Sequence, residues 1–211
     1  MHKKSVLIFT ILLLILSFIS CTPKTTDEAE IEIKPEDIFG AWTSETTYEN
    51  EQLGIKFTLD GSYTVMNEEE INEFIAPEKM IINGAKQTAA NDDECYQYFD
   101  FGLKDSNDLT CVVLYYTDIK KETNADISVS GYCDMLMDGF TSYGNKVSKK
   151  SVASIAGTSY TKFTAYINDS VYIDYYLRKN DNLIAIWLVG HYEGQNSDPD
   201  ELLNSIEGIS K

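Results

Sequence analysis

The chain has 211 residues, a formal net charge of -17 and 43% hydrophobic residues. This length and composition suit one domain with a sizeable core and argue against disorder over most of the chain. An acidic surface repels phosphate backbones and anionic lipid headgroups, so the charge argues against a nucleic-acid partner and against electrostatic docking onto a membrane.

The first 20 residues predict an export signal. A positively charged start at residues 2–4 precedes an apolar run from Val6 to Leu16 that only Thr10 interrupts. This run is short for a membrane-spanning helix, which needs about 20 apolar residues. We therefore expect a secretory signal rather than a permanent span.

The end of this signal resembles the lipobox of bacterial lipoproteins. The matching residues are Phe18-Ile19-Ser20-Cys21, although the usual pattern has leucine three places before the cysteine and small residues after it. The resemblance implies a diacylglyceryl group on the Cys21 sulfur, and two acyl chains are enough for stable anchoring. It thus implies attachment to the membrane through lipid on Cys21. Ordinary cleavage with full secretion and an uncleaved signal anchor are the alternatives.

The sequence after the signal predicts a tether and one domain. Residues 21–37 are polar, acidic and contain two prolines. A flexible segment of this length has a reach of roughly 20 Å. The domain is predicted over residues 38–211.

The first predicted elements are a hairpin and a helix. Apolar residues alternate from Ile55 to Leu59, Asp60-Gly61 is a turn signal, and alternation returns at Tyr63 and Val65.

A helix is predicted to follow this hairpin. Asn67 and Glu70 have the spacing of a reciprocal cap, Ile71, Phe74 and Ile75 share one side, and Pro77 helps to end the helix. Residues 83–94 are typical of a loop.

Two strands and a second helix come next. Strands are predicted at Tyr96–Leu103 and Leu109–Thr117, with a turn between them. The second strand is apolar on both faces, which predicts a central position with a helix covering one face. Ser128 is predicted to open a helix whose apolar residues recur at helical spacing up to Tyr143, with Gly144 ending it.

Four further strands and a final helix complete the prediction. The strand connections have hairpin chemistry, which implies antiparallel pairing. Ser197 is predicted to cap the last helix, with acidic residues in its first turn. The fold class is therefore α+β, a twisted antiparallel β-sheet flanked by helices. The four strands are Val147–Ile155, Ser159–Ile167, Ser170–Arg178 and Leu183–Tyr192, and the apolar stripe of the last helix is Leu202, Leu203, Ile206 and Ile209.

This order resembles the PsbP/Mog1-like superfamily, particularly its lipoprotein members. The similar stretches run from Thr46 to Ile71 and from Ala156 to Tyr192, and ELLNSIEGI resembles the family's terminal helix. Asp60 and Tyr63 depart from the family, where proline and tryptophan often flank the glycine. The resemblance implies a fold and not an activity, since members range from photosystem accessory subunits to transport factors. The stretches FGAWTSE and FTLDGSYTV also resemble lipocalin-like lipoproteins, but two helices in mid-chain argue against a simple barrel.

Few residues are candidates for chemistry. After processing only His191 remains of the histidines, and a strand-end histidine with a hydrogen-bond partner is its simplest interpretation. No nucleophile, phosphate-binding or metal-binding motif accompanies it. Acidic clusters at 68–70 and 198–201 suit helix starts, while residues 92–94 are a weak cation-site candidate without EF-hand spacing. We therefore predict no catalytic residue, cofactor or metal ligand, although two acids paired in space for glycoside hydrolysis stay open.

The cysteines other than Cys21 are odd in number. Cys111 and Cys133 lie in apolar runs and are expected to be buried thiols, while a bridge between two of Cys95, Cys111 and Cys133 stays open.

The tyrosines suit packing in strands, and their functional alternative is an exposed aromatic sheet face. The leading hypothesis is a non-enzymatic binding or accessory module, lipid-anchored at the outer face of the cytoplasmic membrane, that contacts an envelope protein. The alternative is a lipoprotein that binds a small apolar ligand between sheet and helix. A cleft joining His191 to two carboxylates would favour an enzyme.

Overall fold

The computed structural model describes residues 37–67, 69–71, 80–83, 96–105, 110–167, 170–193 and 200–209. The predicted signal, the lipid site Cys21, the acidic run 92–94, Cys95 and Ser197 lie outside these ranges. No helix within the described ranges is both long enough and apolar enough to span a membrane.

Two sheets, and not the single expected sheet, organise the domain. The small sheet has the order β1-β2-β3-β13 and is antiparallel throughout. Its first two strands were not predicted, because they are short and follow no strict alternation. The strands are β1 Ala41–Trp42, β2 Thr47–Asn50, β3 Ile55–Thr58 and β13 Glu207–Gly208.

The large sheet has the order β4-β6-β7-β12-β11-β10-β8, with β9 also on β10 and β5 on β6. Its pairs are antiparallel except for β5 with β6, which is parallel. Its strands are β4 Tyr63–Val65, β5 Met80–Ile82, β6 Gln97–Asp105, β7 Thr110–Thr117, β8 Lys146–Val147, β9 Ser151–Ile155, β10 Thr158–Tyr166, β11 Val171–Asn180 and β12 Leu183–Tyr192.

The predicted hairpin around Asp60-Gly61 is wrong. The turn itself forms, since Asp60 Oδ1 accepts the backbone N–H of Ser62 at 2.8 Å and Gly61 has a φ of 93°. However, β3 pairs with β2 and β13, while β4 pairs with β6. The turn therefore carries the chain from the small sheet to the large one.

The helices that lie wholly within the described ranges are α1 Ile119–Thr123, α2 Val129–Ser142 and α3 Glu201–Ser205. Helix α2 has the predicted start and end, because the Ser128 hydroxyl accepts the N–H of Gly131 and Gly144 takes a φ of 81°. Helix α1 was not predicted. Helix α3 begins after Asp200 and ends at Ser205, so Ile209 lies beyond it and the expected longer helix is wrong.

The reciprocal cap at Asn67 is confirmed. Its Oδ1 accepts the N–H groups of Glu69 and Glu70 at 3.0 and 3.1 Å, and Glu70 Oε2 accepts the N–H of Asn67 at 2.9 Å. Ile71 is helical and buried, while Phe74, Ile75 and Pro77 lie outside the described residues.

The large sheet is the middle layer of three. On one face its apolar residues pack with Tyr132, Cys133 and Phe140 of α2, and on the other face they pack with the small sheet and α3. Every residue of β7 is buried, as predicted for a central strand covered on both sides. The α+β class, a largely antiparallel sheet flanked by helices, is therefore confirmed.

Candidate functional site

Polar side chains gather on one face of β10, β11 and β12, at the end where β12 finishes. The strand register places Thr164 opposite Asp174 and Tyr172 opposite His191. Residues of β11 point alternately to the two faces, and Ile173 and Tyr175 lie in the layer under α2. Asp174 and its neighbours therefore face the small-sheet side.

Asp174 is the centre of this polar cluster. Its Oδ2 lies 3.3 Å from Lys162 Nζ and 3.4 Å from His191 Nε2, and the Thr164 hydroxyl donates to Oδ1. The strand-end position predicted for His191 is confirmed. Its buried Nε2 lies close to Asp174 Oδ2 but lacks the geometry of a well-directed hydrogen bond.

A second carboxylate joins the cluster from α3. Lys162 Nζ donates to Asp200 Oδ2 at 3.1 Å, and the Tyr176 hydroxyl donates to Asp200 Oδ1 at 2.5 Å. Asp200 occupies the N-cap position of α3 but makes no capping bond with its side chain. Its carboxylate instead ties the start of the helix to the sheet.

The cluster keeps Asp174 ionised. Burial raises the pKa of its carboxyl, but the facing imidazole, the Thr164 hydroxyl and the Lys162 charge outweigh burial and hold the pKa below its usual value. This arrangement does join His191 to two carboxylates. Both carboxylates are, however, bonded to donors of the domain, and the Thr164 hydroxyl gives its hydrogen to Asp174. The geometry is that of an ion-pair network which fixes side-chain positions.

Aromatic rings cover this end of the sheet. The rings of Tyr166 and Tyr172 meet edge to face with centroids 5.3 Å apart, and Tyr172 stacks on His191 at 5.4 Å. All three side chains are half-buried. We call Tyr166, Tyr172 and His191 the aromatic patch.

A buried carboxylate between the two sheets escaped prediction. Asp100 sits at a register shift in β6, between Phe99 and Phe101, and such a bulge adds a residue to the strand. Phe99 packs in the layer under α2 and Phe101 packs against the small sheet. Strand alternation alone could not have predicted where Asp100 points.

Donors from four segments surround Asp100, one of them the Tyr116 hydroxyl of β7 at 3.4 Å from Oδ2. Oδ2 accepts the Tyr48 hydroxyl at 2.5 Å, the Asn50 amide at 3.2 Å and the Gly40 N–H at 3.2 Å, and Oδ1 accepts the Asn83 amide at 2.9 Å. Burial raises the pKa of the Asp100 carboxyl above its usual value, and the hydrogen bonds offset only part of this rise. The network joins β2 to β6 and is structural.

A second inward carboxylate lies beneath α2. Glu122 Oε2 accepts the Thr117 and Tyr132 hydroxyls at 2.6 and 3.0 Å. Burial is the main cause that raises the pKa of Glu122, to about 7. Cys111 and Cys133 are buried in the same layer with free thiols, as predicted.

Burial raises the pKa of the Cys111 thiol to about 12, which makes it a poor nucleophile. Within the described ranges, no group of three or more histidine, cysteine, aspartate or glutamate residues is placed to hold a metal ion.

Comparison with known proteins gives a likeness in structure and none in sequence family. No family model and no curated protein matches the chain. The solution structure of cyanobacterial PsbP from Synechocystis sp. PCC 6803 is similar over 77% of this chain and 91% of that chain, with a TM-score of 0.44 and 9% identity. The likeness is to the family that the sequence resembles, and at this level it carries no information about activity, site residues or partners.

Proposed function

We propose that this chain is a lipid-anchored, non-enzymatic binding module that contacts a protein partner in the cell envelope through the aromatic patch. The observation that supports the proposal is the half-buried group of Tyr166, Tyr172 and His191 above an internally bonded ion cluster. Aromatic side chains with an apolar body and a polar tip are enriched where proteins meet.

The charged cluster suits a binding surface better than a reaction centre. Lys162 bridges Asp174 and Asp200, so each carboxylate beneath the patch is paired with a cation of the domain. Cross-strand stacking and this network restrict how the rings can move, and a rigid aromatic surface loses little entropy on binding. A general base needs a pKa near the working pH, whereas the pKa of Asp174 is lowered.

The anchor is proposed from the sequence. The lipobox resemblance at residues 18–21 supports a diacylglyceryl group on Cys21, and the acidic segment after it supports a short tether. Such an anchor would hold the domain at the outer face of the cytoplasmic membrane, within reach of membrane-bound partners.

The anchor is tested by the Cys21→Ser substitution in cells fed an alkyne-labelled fatty acid. We expect the wild-type chain to carry label and to sediment with membranes, and the variant to lose both properties. The matched control is Cys95→Ser, which should keep them. A wild-type chain without label, or one that retains residues 1–20, would contradict the anchor.

The patch is tested by cross-linking in intact cells followed by purification under denaturing conditions. We expect a specific envelope protein to be captured by the wild-type chain and lost when Tyr166 and Tyr172 are both changed to alanine. The control is Tyr143→Ala, since Tyr143 is 61% exposed at the far end of α2. Loss of capture with the control as well, or capture unaffected by the patch variant, would count against the patch. Urea unfolding of each variant separates lost contact from lost folding.

A ligand-binding role is the second candidate because of Tyr175. Its hydroxyl is fully buried under α2 and has no hydrogen-bond partner among the described residues, although buried hydroxyls are normally bonded. Native mass spectrometry of the chain purified from its own cells tests this role. A noncovalently bound small molecule that Tyr175→Phe weakens would support it, and a chain that carries no noncovalent ligand would oppose it.

A further inference from the structure

Strand β9 lies at an edge of the large sheet. It pairs with β10 through residues 151–155, and no described residue pairs with its other side. Val152 in this strand is 80% exposed, which is unusual for a β-branched apolar side chain in a sheet. An edge of this kind leaves backbone donors and acceptors ready for another strand.

The hairpin turn shows which backbone groups of β9 point outward. Ala156 and Gly157 have φ values of 50° and 76°, the pattern of a two-residue type I′ turn. In such a hairpin the flanking pair, Ile155 with Thr158, is hydrogen-bonded, and bonded pairs then alternate with non-bonded ones. Val152 and Ser154 fall in the non-bonded pairs, so their N–H and C=O groups point away from β10.

The hydrogen bonds farther along β10 agree with this alternation. Thr164 accepts the backbone N–H of Ser148 at 2.8 Å, which shows that Thr164 directs its carbonyl toward the edge. Thr164 is an even number of residues from Thr158, and alternate residues of a strand direct their backbone groups to the same side.

The edge is positively charged within an acidic chain. Three of the five residues at 146–150 are lysines, against a net charge of -17 for the whole chain. Lys146 and Lys149 are exposed, while Lys150 donates to Asp134 Oδ1 at 2.7 Å. Charges of one sign next to an edge attract an acidic segment and repel a second copy of the same edge.

Lysines and strand breaks are also devices that protect sheet edges from unwanted pairing. The break at residues 148–150, between β8 and β9, fits that role. Strand β9 itself does not, because it has no proline or charged side chain and exposes Val152. A protected edge would carry a proline or a charged side chain where β9 exposes Val152.

We propose that β9 is a docking edge that accepts an extended acidic segment of a partner protein as an additional strand. The Val152 and Ser154 backbone groups supply the hydrogen bonds, and Lys146 and Lys149 select for acid. This mode of recognition gives affinity through the main chain and specificity through flanking side chains. The proposal depends neither on the aromatic patch nor on the lipid anchor.

Hydrogen exchange of the full chain purified from cells in detergent tests the docking edge, with a short peptide of alternating glutamate and valine as the probe. In the free chain we expect fast exchange at Val152 and Ser154 and slow exchange at Ala153, whose N–H points to β10. The peptide should slow exchange at Val152 and Ser154 specifically. Unchanged exchange at these two amides at saturating peptide would overturn the proposal.

Substitutions in β9 and at Lys149 separate strand addition from charge attraction. Val152→Pro removes an outward N–H without breaking a bond to β10, and should abolish peptide binding, whereas Val152→Thr keeps the N–H and should bind. Lys149→Glu should weaken binding by about tenfold at low salt. Urea unfolding of each variant checks its fold, and Ser154→Pro replaces Val152→Pro if the latter is unfolded. Peptide binding to the proline variant at wild-type strength would overturn the proposal.

Vesicles containing anionic lipid give the final comparison. If they bind the wild-type chain more strongly than vesicles of neutral lipid do, and the peptide does not bind, the lysines serve a membrane surface and strand addition is wrong. If only the peptide slows exchange at the outward amides, the docking edge is supported.

Discussion

Glu122 shows how one buried carboxyl can make the domain sensitive to pH. Its pKa rises from 4.5 to about 7, chiefly through burial, while Thr117 and Tyr132 donate hydrogen bonds to it and Asp118 lies near with like charge. The folded chain therefore keeps this proton over a range in which the unfolded chain has lost it. The contribution of Glu122 to the free energy of unfolding is therefore fully present below pH 4.5 and is lost as pH rises toward 7.

We expect Glu122→Gln to remove most of this pH dependence. The amide cannot ionise, so the variant should be more stable than wild type at about pH 8, by about 3 kcal/mol at most. Urea unfolding of both chains at about pH 5 and about pH 8 measures the difference. If the free energy of unfolding of the variant depends on pH as that of the wild type does, groups other than Glu122 cause the dependence.

Asp100 is the residue whose loss should damage the domain most directly. Asp100→Ala leaves the buried hydroxyl of Tyr48 without its carboxylate acceptor and removes one of the acceptors of the Asn50 and Asn83 amides. We expect a loss of about 3 kcal/mol in the free energy of unfolding, because unsatisfied buried donors are costly. Urea unfolding measures it.

The control for this substitution is Asp126→Ala in an exposed position, which should change the stability by less than about 0.5 kcal/mol. Equal effects at the two positions would mean that the Asp100 network contributes little.

The sequence could locate single residues but could not identify their partners. His191 was placed at a strand end, and Cys111 and Cys133 were predicted to be buried, from apolar neighbours alone. The contact between His191 and Asp174 depends on the register of β11 against β12, which no local pattern reveals. Asp100 was missed because a bulge turns its side chain against the alternation of β6.

Among the elements, the β9–β10 hairpin depends on an unfavourable turn residue. Ala156 has a φ of 50°, a left-handed conformation that alanine adopts at a cost and asparagine tolerates well. Ala156→Asn should therefore raise the free energy of unfolding by about 0.5 kcal/mol. Thermal unfolding checks the change. Ala156→Val is the counterpart that should lower the melting temperature, and an order reversed between the two would contradict the turn type.

Elements built from local contacts were predicted best. Helix α2 has a cap, an apolar stripe and a terminal glycine, and strands β10 to β12 follow one another through short turns. The hairpin prediction from Ile55 to Val65 is wrong, because it assumed that two neighbouring strands with a turn between them pair with each other, as they normally do. Here each strand pairs in a different sheet, β3 with β2 and β4 with β6. These pairings depend on partner strands that the local pattern from Ile55 to Val65 does not reveal.

At the scale of the molecule, the two sheets should unfold together. Trp42 and Phe57 of the small sheet and Trp187 of the large sheet each meet the Phe101 ring, with centroids within 6.0 Å. The Asp100 network crosses the same interface. A shared core of this kind predicts one cooperative transition.

The two tryptophans allow a direct measurement, because the chain has only these two and each lies in a different sheet. We expect the fluorescence midpoint of Trp42→Phe, which reports on the large sheet, to equal the circular dichroism midpoint of the same variant. The same equality should hold for Trp187→Phe, which reports on the small sheet. Separate midpoints within either variant would mean that the sheets are independent units.

The pairing of β13 with β3 has a consequence for the order of folding. Glu207 pairs with Lys56, so a strand that follows all strands of the large sheet completes a sheet that the chain began before them. Contacts between such distant residues form slowly, since a long loop must close first. The small sheet therefore stays unfinished until every strand of the large sheet has left the ribosome. If the chain is exported as we propose, this delay would give it time to cross the membrane unfolded.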